Sequence, residues 1–460
     1  MSKPRFRWAA GLAGLASSLA LAFAAPQPAQ AQKVLRVVPH ADLKVLDGYQ
    51  TTATITGMHM ISVYDTLFAW DNKLNVQPQM VERHTVSPDN LKYTFTLRPG
   101  LKWHDGTAVT TKDIVASLKR LFARETVAKV AQPYIGSIDP VDDKTFTITL
   151  KEPFCCLTLM MPGTSTAYGG MYREKEAMID PNTPITETIG SGPFKFNKAE
   201  WVPGAKVIYD KNTDYVPRSE PPSGIAGGKV VKVDRVEFVD MSDPQQQINA
   251  LIAGEIDMIE NVPHDLIPIL KKDKNVQTVN WNPLGQQFIL RMNHLTKPFD
   301  NPKIRQAVLY ALDQKPFLDA NVGDPNYYRE CRSLFPCGSP LESTKGWEDK
   351  VKGNVARAKE LLKEAGYDGT AVVLMHQTDT ANHNQLATVA KPQLEAAGFK
   401  VDLQAMDWQT LVSRRTKKDP PEKGGWSAFF TSWGSPDVLT PVSAAFLNAS
   451  CDKATFGWPC

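Results

Sequence analysis

Long apolar runs are missing from this 460-residue chain once residue 25 is passed. No later stretch offers the roughly 20 apolar residues that a membrane-spanning helix needs. Histidine is scarce, with 8 copies and no H-E-x-x-H pair to hold a hydrolytic zinc. Cysteine is scarce too: the 6 copies include no C-x-x-C spacing, which argues against a zinc site. No cofactor-binding motif is present. Neither sign of charge dominates. The formal net charge is +3, and Lys3, Arg5 and Arg7 account for it, so the remainder is near neutral. A nucleic-acid partner would ask for a basic face. The one basic cluster, Arg414-Arg415-Thr416-Lys417-Lys418, sits beside Pro420-Pro421 and Gly424-Gly425, and a solvated loop is expected there.

What is present begins with an export signal. Lys3, Arg5 and Arg7 form a basic start, Trp8 to Ala25 an apolar Ala/Leu-rich segment, and Ala29-Gln30-Ala31 a small-residue cleavage site. Residues 1–31 are therefore expected to be removed, leaving a chain from Gln32. No Cys follows the site, so no lipid anchor is indicated. The remaining length is too great for one hydrophobic core and implies two or more domains.

The most organised stretch is YTFTLRPGLKWHDGTAVTTKDIVASLKR, Tyr93 to Arg120. Tyr93, Phe95 and Leu97 alternate with Lys92, Thr94 and Thr96, the period of a half-buried strand. Pro99-Gly100 suits a tight turn. Thr110 with Asp113 three residues on reads as a capping box, and Ile114, Val115, Leu118, Leu121 and Phe122 form the apolar stripe of the following helix. This segment resembles the signature of family 5 extracellular solute-binding proteins, the dipeptide-, oligopeptide- and nickel-binding components of bacterial ABC importers. Further matches are ISVYDTLF in an early helix, Gly190-Ser191-Gly192-Pro193-Phe194, Ala250-Leu251-x-x-Gly254-Glu255-Ile256-Asp257, and Pro298 to Asp313. As a phosphate loop the glycine element fails, because no strand-to-helix context surrounds it and Pro193 lacks an amide donor.

The resemblance implies an α/β, two-lobed periplasmic binding protein of type II-like form, with the family's extra first-lobe subdomain. Lobe I is expected over residues 32–283 and is β-rich. It should hold a strand Val34 to Val38, a helix Ile55 to Phe68, a hairpin Ile138 to Leu150 and a strand Val230 to Val239. A helix capped by Asp243 should turn Ile248, Leu251 and Ile252 inward. Lobe II, residues 284–460, alternates helix and strand. Asn301-Pro302 opens a helix with Ile304, Val308, Ala311 and Leu312 inward. Asn354 opens another with Val355, Ala358, Leu361 and Leu362 inward. Strands Ala371–Met375, Phe399–Ala405 and Trp426–Thr431 alternate with helices Asn382 to Ala397 and Asp407 to Arg415. That order predicts a mainly parallel sheet flanked by helices. The family's C-terminal segment, which returns to lobe I, is expected to be absent.

Ligands of open α/β sheets bind beyond the carboxyl ends of the strands. Three loops are expected there: His376-Gln377-Thr378-Asp379; Met406-Asp407-Trp408; and Ser432-Trp433-Gly434-Ser435-Pro436-Asp437. The expected ligand residues are His376, Gln377, Thr378, Asp379, Trp408, Trp433, Gly434, Ser435 and Asp437, with a core role as the rival for both indoles. Dipeptide-binding relatives hold the peptide carboxylate with an Arg and a Tyr; those places fall on Asp379 and Ala381 here. Their amine-pairing Asp falls on Pro436, with Asp437 one residue later. Asp379, Asp407 and Asp437 together predict a ligand carrying ammonium or guanidinium, unless Arg414 or a first-lobe cation pairs them, or they cap helices or face solvent.

In an oxidising periplasm Cys331–Cys337 and Cys451–Cys460 are expected as local disulfides, each stabilising by roughly 2–3 kcal/mol. The adjacent Cys155 and Cys156 are expected as buried thiols, since a bond between neighbours is strained. An enzyme is not expected. Gly163-Thr164-Ser165-Thr166-Ala167 nearly matches a nucleophile elbow but ends in Ala. Met58-His59-Met60 and His376/His383 keep a metal or metal-chelate carrier of nickel or haem type as the alternative; a secreted hydrolase ranks lower. The expected partners are a small-molecule or short-peptide ligand and the permease subunits of an inner-membrane ABC importer, with the binding protein itself a monomer.

Overall fold

A computed structural model describes residues 32–125, 128–164, 167–380, 383–438, 444 and 447. The expected signal segment, Ala381 and the Cys451–Cys460 pair lie outside them. Among the described residues no helix is long and apolar enough to cross a membrane.

Lobe I holds two main sheets. A mixed five-stranded sheet runs in the order Phe194–Phe196, Lys206–Lys211, Arg235–Val239, Val34–Val38, Met258–Ile259. Its last two neighbour pairs are parallel. An antiparallel four-stranded sheet runs Val81–Val86, Lys92–Leu97, Thr145–Leu150, Ile135–Pro140. Tyr93, Phe95 and Leu97 are buried, as their alternation requires, and Phe95 stacks on Phe146 with centroids 4.9 Å apart. Helix Thr111–Arg124 covers this sheet. The Thr110 amide donates to Asp113 Oδ2 at 2.9 Å, and the whole predicted stripe is buried. Each such aliphatic or aromatic side chain contributes about 1.5–3 kcal/mol of transfer free energy.

The early helix is shorter than expected, Thr54–Val63. The glycine element explains its end. The Gly192 amide donates to the Val63 carbonyl at 2.9 Å, and a Cβ on Gly190 would lie 1.9 Å from that oxygen. Glycine is needed there for close backbone approach. Phe68–Trp70 then forms a strand instead of a last helical turn. The strand expected from Val230 begins only at Arg235, and just before this stretch Lys229 turns inward to Asp65. In helix Pro244–Ala253, Asp243 caps the Gln246 amide as expected, but Ile252 is exposed and Ala250 faces the core.

Every described strand up to Ile259 pairs within lobe I, and those from Gln286 onward pair only with one another. The lobe II sheet runs Gln286–Met292, Ala428–Gly434, Val372–Gln377, Val401–Met406. The last three strands are mutually parallel, and the first is an antiparallel edge. Helices Pro302–Ala311, Val355–Glu364 and Leu386–Ala396 flank it. Asn301 and Asn354 cap the first two through their side-chain oxygens. Ala307 joins the inward face, Leu312 packs against the core from just past the helix end, and Val355, on the first turn, is exposed. Helix Leu386–Ala396 starts four residues later than expected, after a turn that hydrogen-bonds His383 and Asn384 to the Thr380 carbonyl. Cys331 and Cys337 are joined by a disulfide. Cys155 is exposed and Cys156 partly so, which corrects the expectation of two buried thiols.

Candidate ligand cleft

All three parallel strands of the sheet run further than the sequence suggested. The Val372–Gln377 strand keeps pairing to Gln377↔Met406, and Ala428–Gly434 keeps pairing to Gly434↔Gln286. His376, Gln377, Trp433 and Gly434 therefore belong to the sheet itself and not to loops. Gln377 is buried and donates to the Phe430 carbonyl at 3.0 Å. Burial also pulls the His376 imidazole below its ordinary pKa. Trp433 is only 4% exposed and packs with Met375, Leu411, Trp426 and Phe429. Its indole is a core group here, the rival role weighed for it. Ser435 closes the strand end by donating its hydroxyl to the carbonyls of Leu284 and Gly285 at 3.0 and 2.8 Å. Asp437 is buried.

Thr378 and Asp379 are exposed at the strand's carboxyl end. The Asp379 Oδ1 accepts from the Trp408 amide at 2.8 Å, which ties the first and second loops together. Trp408 is half-buried. Its ring is stacked with His383, centroids 6.2 Å apart and 11° between planes, and Arg415 lies over the ring at 5.7 Å. Asp407 caps the Trp408–Arg414 helix, accepting from the Thr410 amide at 3.0 Å. Burial works to raise the Asp407 carboxyl, and its bonds to the Thr410 hydroxyl and amide outweigh this and hold it below the usual range. The cation demand predicted from three carboxylates is thus partly met by the protein. Asp407 is a helix cap, and Asp379 has an amide donor.

Lobe I faces this edge with the segment after Val38. Lys44 Nζ lies 3.7 Å from Asp407 Oδ1, Gln409 Nε2 donates to the Asp42 carbonyl at 3.0 Å, and Arg415 donates to Thr52 Oγ1 at 3.1 Å. Asp240 joins from the other side. Burial pushes its carboxyl up, and the neighbouring Asp42 and Asp379 add to that. A shallow dent lies beside it, lined in part by Asp42, Leu43 and Lys206. His40 is held above its ordinary pKa: burial opposes this, and Glu260 at 2.8 Å wins. His383 shares the site, donating to or accepting from Ser432 Oγ at 2.9 Å, and burial lowers it to about 4.

In the sequence His383 was legible only as a metal candidate and Arg415 only as part of a solvated loop, while Gln409 and the lobe I contributors carried no signal. The basic cluster splits. Arg415 is buried, whereas Lys417 and Lys418 are exposed, so the solvated-loop reading holds for the lysines alone. One signal for Arg415 existed: it follows Leu411 by four residues and Val412 by three, on the buried face of a helix. Burial draws its guanidinium down to about 10. Gly163–Thr164 and Ala167–Tyr168 form a two-stranded antiparallel pair, which is not the strand-to-helix turn of a nucleophile elbow. His59 is sealed in lobe I, its Nδ1 3.2 Å from the Tyr209 hydroxyl. Among the described residues no group of three His, Cys, Asp or Glu is placed to hold a metal ion.

Two α/β lobes facing each other across the carboxyl edge of a parallel sheet define a solute-binding protein of the periplasmic type. The model of bacterial extracellular solute-binding proteins, family 5, matches residues 75–455, and the chain belongs to that family. It is similar to a probable peptide ABC transporter periplasmic-binding protein of Sinorhizobium fredii, 40% identical over 97% of this chain and 85% of the relative. It is also similar to the glutathione-binding protein of Salmonella paratyphi A, 30% identical over 95% of this chain and 82% of the relative. Among solved structures it resembles a binding protein of A. tumefaciens R10 in complex with agropinic acid. That match has a TM-score of 0.72 at 24% identity and covers 87% of this chain and 77% of the other. The chain is the solute-binding component of an ABC transporter.

Proposed function

We propose that the chain captures a short peptide or peptide-like solute between its lobes and delivers it to a permease in the inner membrane. It acts as a monomer in the periplasm and catalyses nothing. The observation that carries this reading is the meeting of lobe I residues Asp42, Lys44 and Thr52 with Gln409, Asp407 and Arg415 at the carboxyl edge of the lobe II sheet. A solute held there touches both lobes, and only a change in their separation admits or frees it. The peptide and glutathione relatives support this ligand class over the metal-chelate alternative. Under the same proposal residues 1–31 are the cleaved export signal and the lobes divide near residue 283. Trp408 with Thr378 and Asp379 forms the lobe II wall, and Ser435 and Asp437 brace it from behind.

A thermal-shift screen tests the ligand. Its arms are di- and tripeptides, glutathione, opines, sugars and a nickel–histidine chelate. A ligand at 100 times its dissociation constant adds about 2.7 kcal/mol to apparent stability. A peptide arm is expected to raise the midpoint. A shift with the chelate alone would replace the peptide reading by the metal-carrier one.

A further inference from the structure

The adjacent thiols of Cys155 and Cys156 take no part in the cleft. Both are free, their Sγ atoms are 2.8 Å apart, and Cys155 is exposed. The flanks are fixed on both sides. Phe154 stacks on Tyr134 with centroids 4.7 Å apart, and its carbonyl accepts from the Tyr93 hydroxyl at 3.4 Å. The Leu159 amide donates to the Cys156 carbonyl at 3.0 Å. The hydrogen bond from its neighbour raises the Cys156 thiol, and partial burial adds to this. The two sulfurs are thus held together, accessible to a small reagent, on a segment that cannot easily part them.

Neighbouring Cα atoms are about 3.8 Å apart, short of the roughly 4.4–6.8 Å that an unstrained disulfide spans. A bond between them can close, and its strain makes it readily reducible. Cys331–Cys337, with Cα atoms 5.8 Å apart, lies inside the ordinary span. We propose that Cys155 and Cys156 form a reversible dithiol–disulfide site that exchanges with external disulfides. Its use in the cell rests on the export reading, since an oxidising compartment supplies such partners; the chemistry itself does not.

The exchange balances. The Cys155 thiolate attacks one sulfur of an external disulfide, forming a mixed disulfide and releasing one external thiolate. Cys156 gives its proton to water and attacks the Cys155 sulfur. The intramolecular bond forms and the second external thiolate leaves. The protein loses two electrons and two protons, and the external disulfide becomes two thiols.

The test uses the purified chain and oxidised glutathione as the probe. Free thiols are alkylated under denaturing conditions and read peptide by peptide by mass. Three results are expected. Oxidised glutathione abolishes alkylation of both residues in the wild type without leaving glutathione on either. Low dithiothreitol then restores alkylation of this pair while Cys331–Cys337 stays bonded. A Cys155→Ser variant keeps glutathione stably on Cys156. Persistent alkylation of both thiols, or stable glutathione on the wild-type pair, would overturn the proposal. So would reduction of the pair only together with Cys331–Cys337. None of these readings depends on which solute fills the cleft.

Discussion

Lobe I and the interlobe edge use charge in opposite ways. Inside lobe I, Arg120 and Asp47 are both fully buried and 3.0 Å apart. Asp47 also accepts from the Tyr172 hydroxyl and the amides of Tyr49 and Ile185, and Arg120 donates to three carbonyls near residue 180. Asp65 is likewise sealed, with Lys229 at 2.9 Å and the Tyr215 hydroxyl at 3.1 Å. At the interlobe edge the ion pair is Lys44–Asp407, at 3.7 Å with the two side chains 48% and 44% exposed. Buried pairs with every lone pair satisfied cannot be parted without leaving a bare charge in the core. An exposed pair parts at little cost. Lobe I is thus sealed by charge, whereas the Lys44–Asp407 pair at the edge is one that can part.

The largest effect should come from breaking the sealed pair. Arg120→Met leaves Asp47 as a buried carboxylate without its cation, and a loss of about 3–5 kcal/mol is expected in chemical denaturation. A loss below about 1 kcal/mol would mean that Asp47 is held by its neutral donors alone.

Acid should act next. His59 is fully buried and burial lowers it to about 3. In the unfolded chain it titrates near 6.5. Above that value both states are neutral and its contribution is fully present. As pH falls below it, the unfolded state takes up a proton that the folded state refuses, so stability is lost from about 6.5 down toward the folded value. Between pH 7 and 4.5 this one group should remove about 3 kcal/mol. Urea titrations at the two pH values should show that loss, and His59→Gln should flatten the difference. An unchanged pH dependence in the variant would show that His59 is hydrated in the folded state.

The smallest effect belongs to the edge. Lys44→Ala should change the urea midpoint by less than about 1 kcal/mol. Stopped-flow fluorescence should nevertheless show faster ligand release, because the pair is made only when the lobes meet. A loss of stability as large as that of Arg120→Met would put Lys44 in the fold and not in the closure.

The two regions also differed in what could be read beforehand. Strand Lys92–Leu97 and helix Thr111–Arg124 were legible because period, cap and turn residues agree locally. The parallel lobe II sheet followed from the order of its elements. Strand ends did not, since Gln377 and Gly434 stay in the sheet only through pairing with Met406 and Gln286, far away in the chain. The cleft was half legible. Trp408, Asp379 and Asp407 could be placed from topology. Trp433 could not, because whether an indole at a strand end turns to core or cleft depends on what packs around it. Asp42, Lys44 and Thr52 carry no local signal, since they matter only through the opposing lobe.

A peptide-like solute is expected to be gripped at the Trp408 edge between the lobes. Isothermal titration of the purified chain with short peptides and glutathione tests it most directly, on the wild type and on Trp408→Ala. Saturable binding of one solute per chain is predicted, weakened at least tenfold in the variant, about 1.4 kcal/mol, with the fold intact. Equal affinity in both proteins, or no binding by any peptide to a folded wild type, would contradict it.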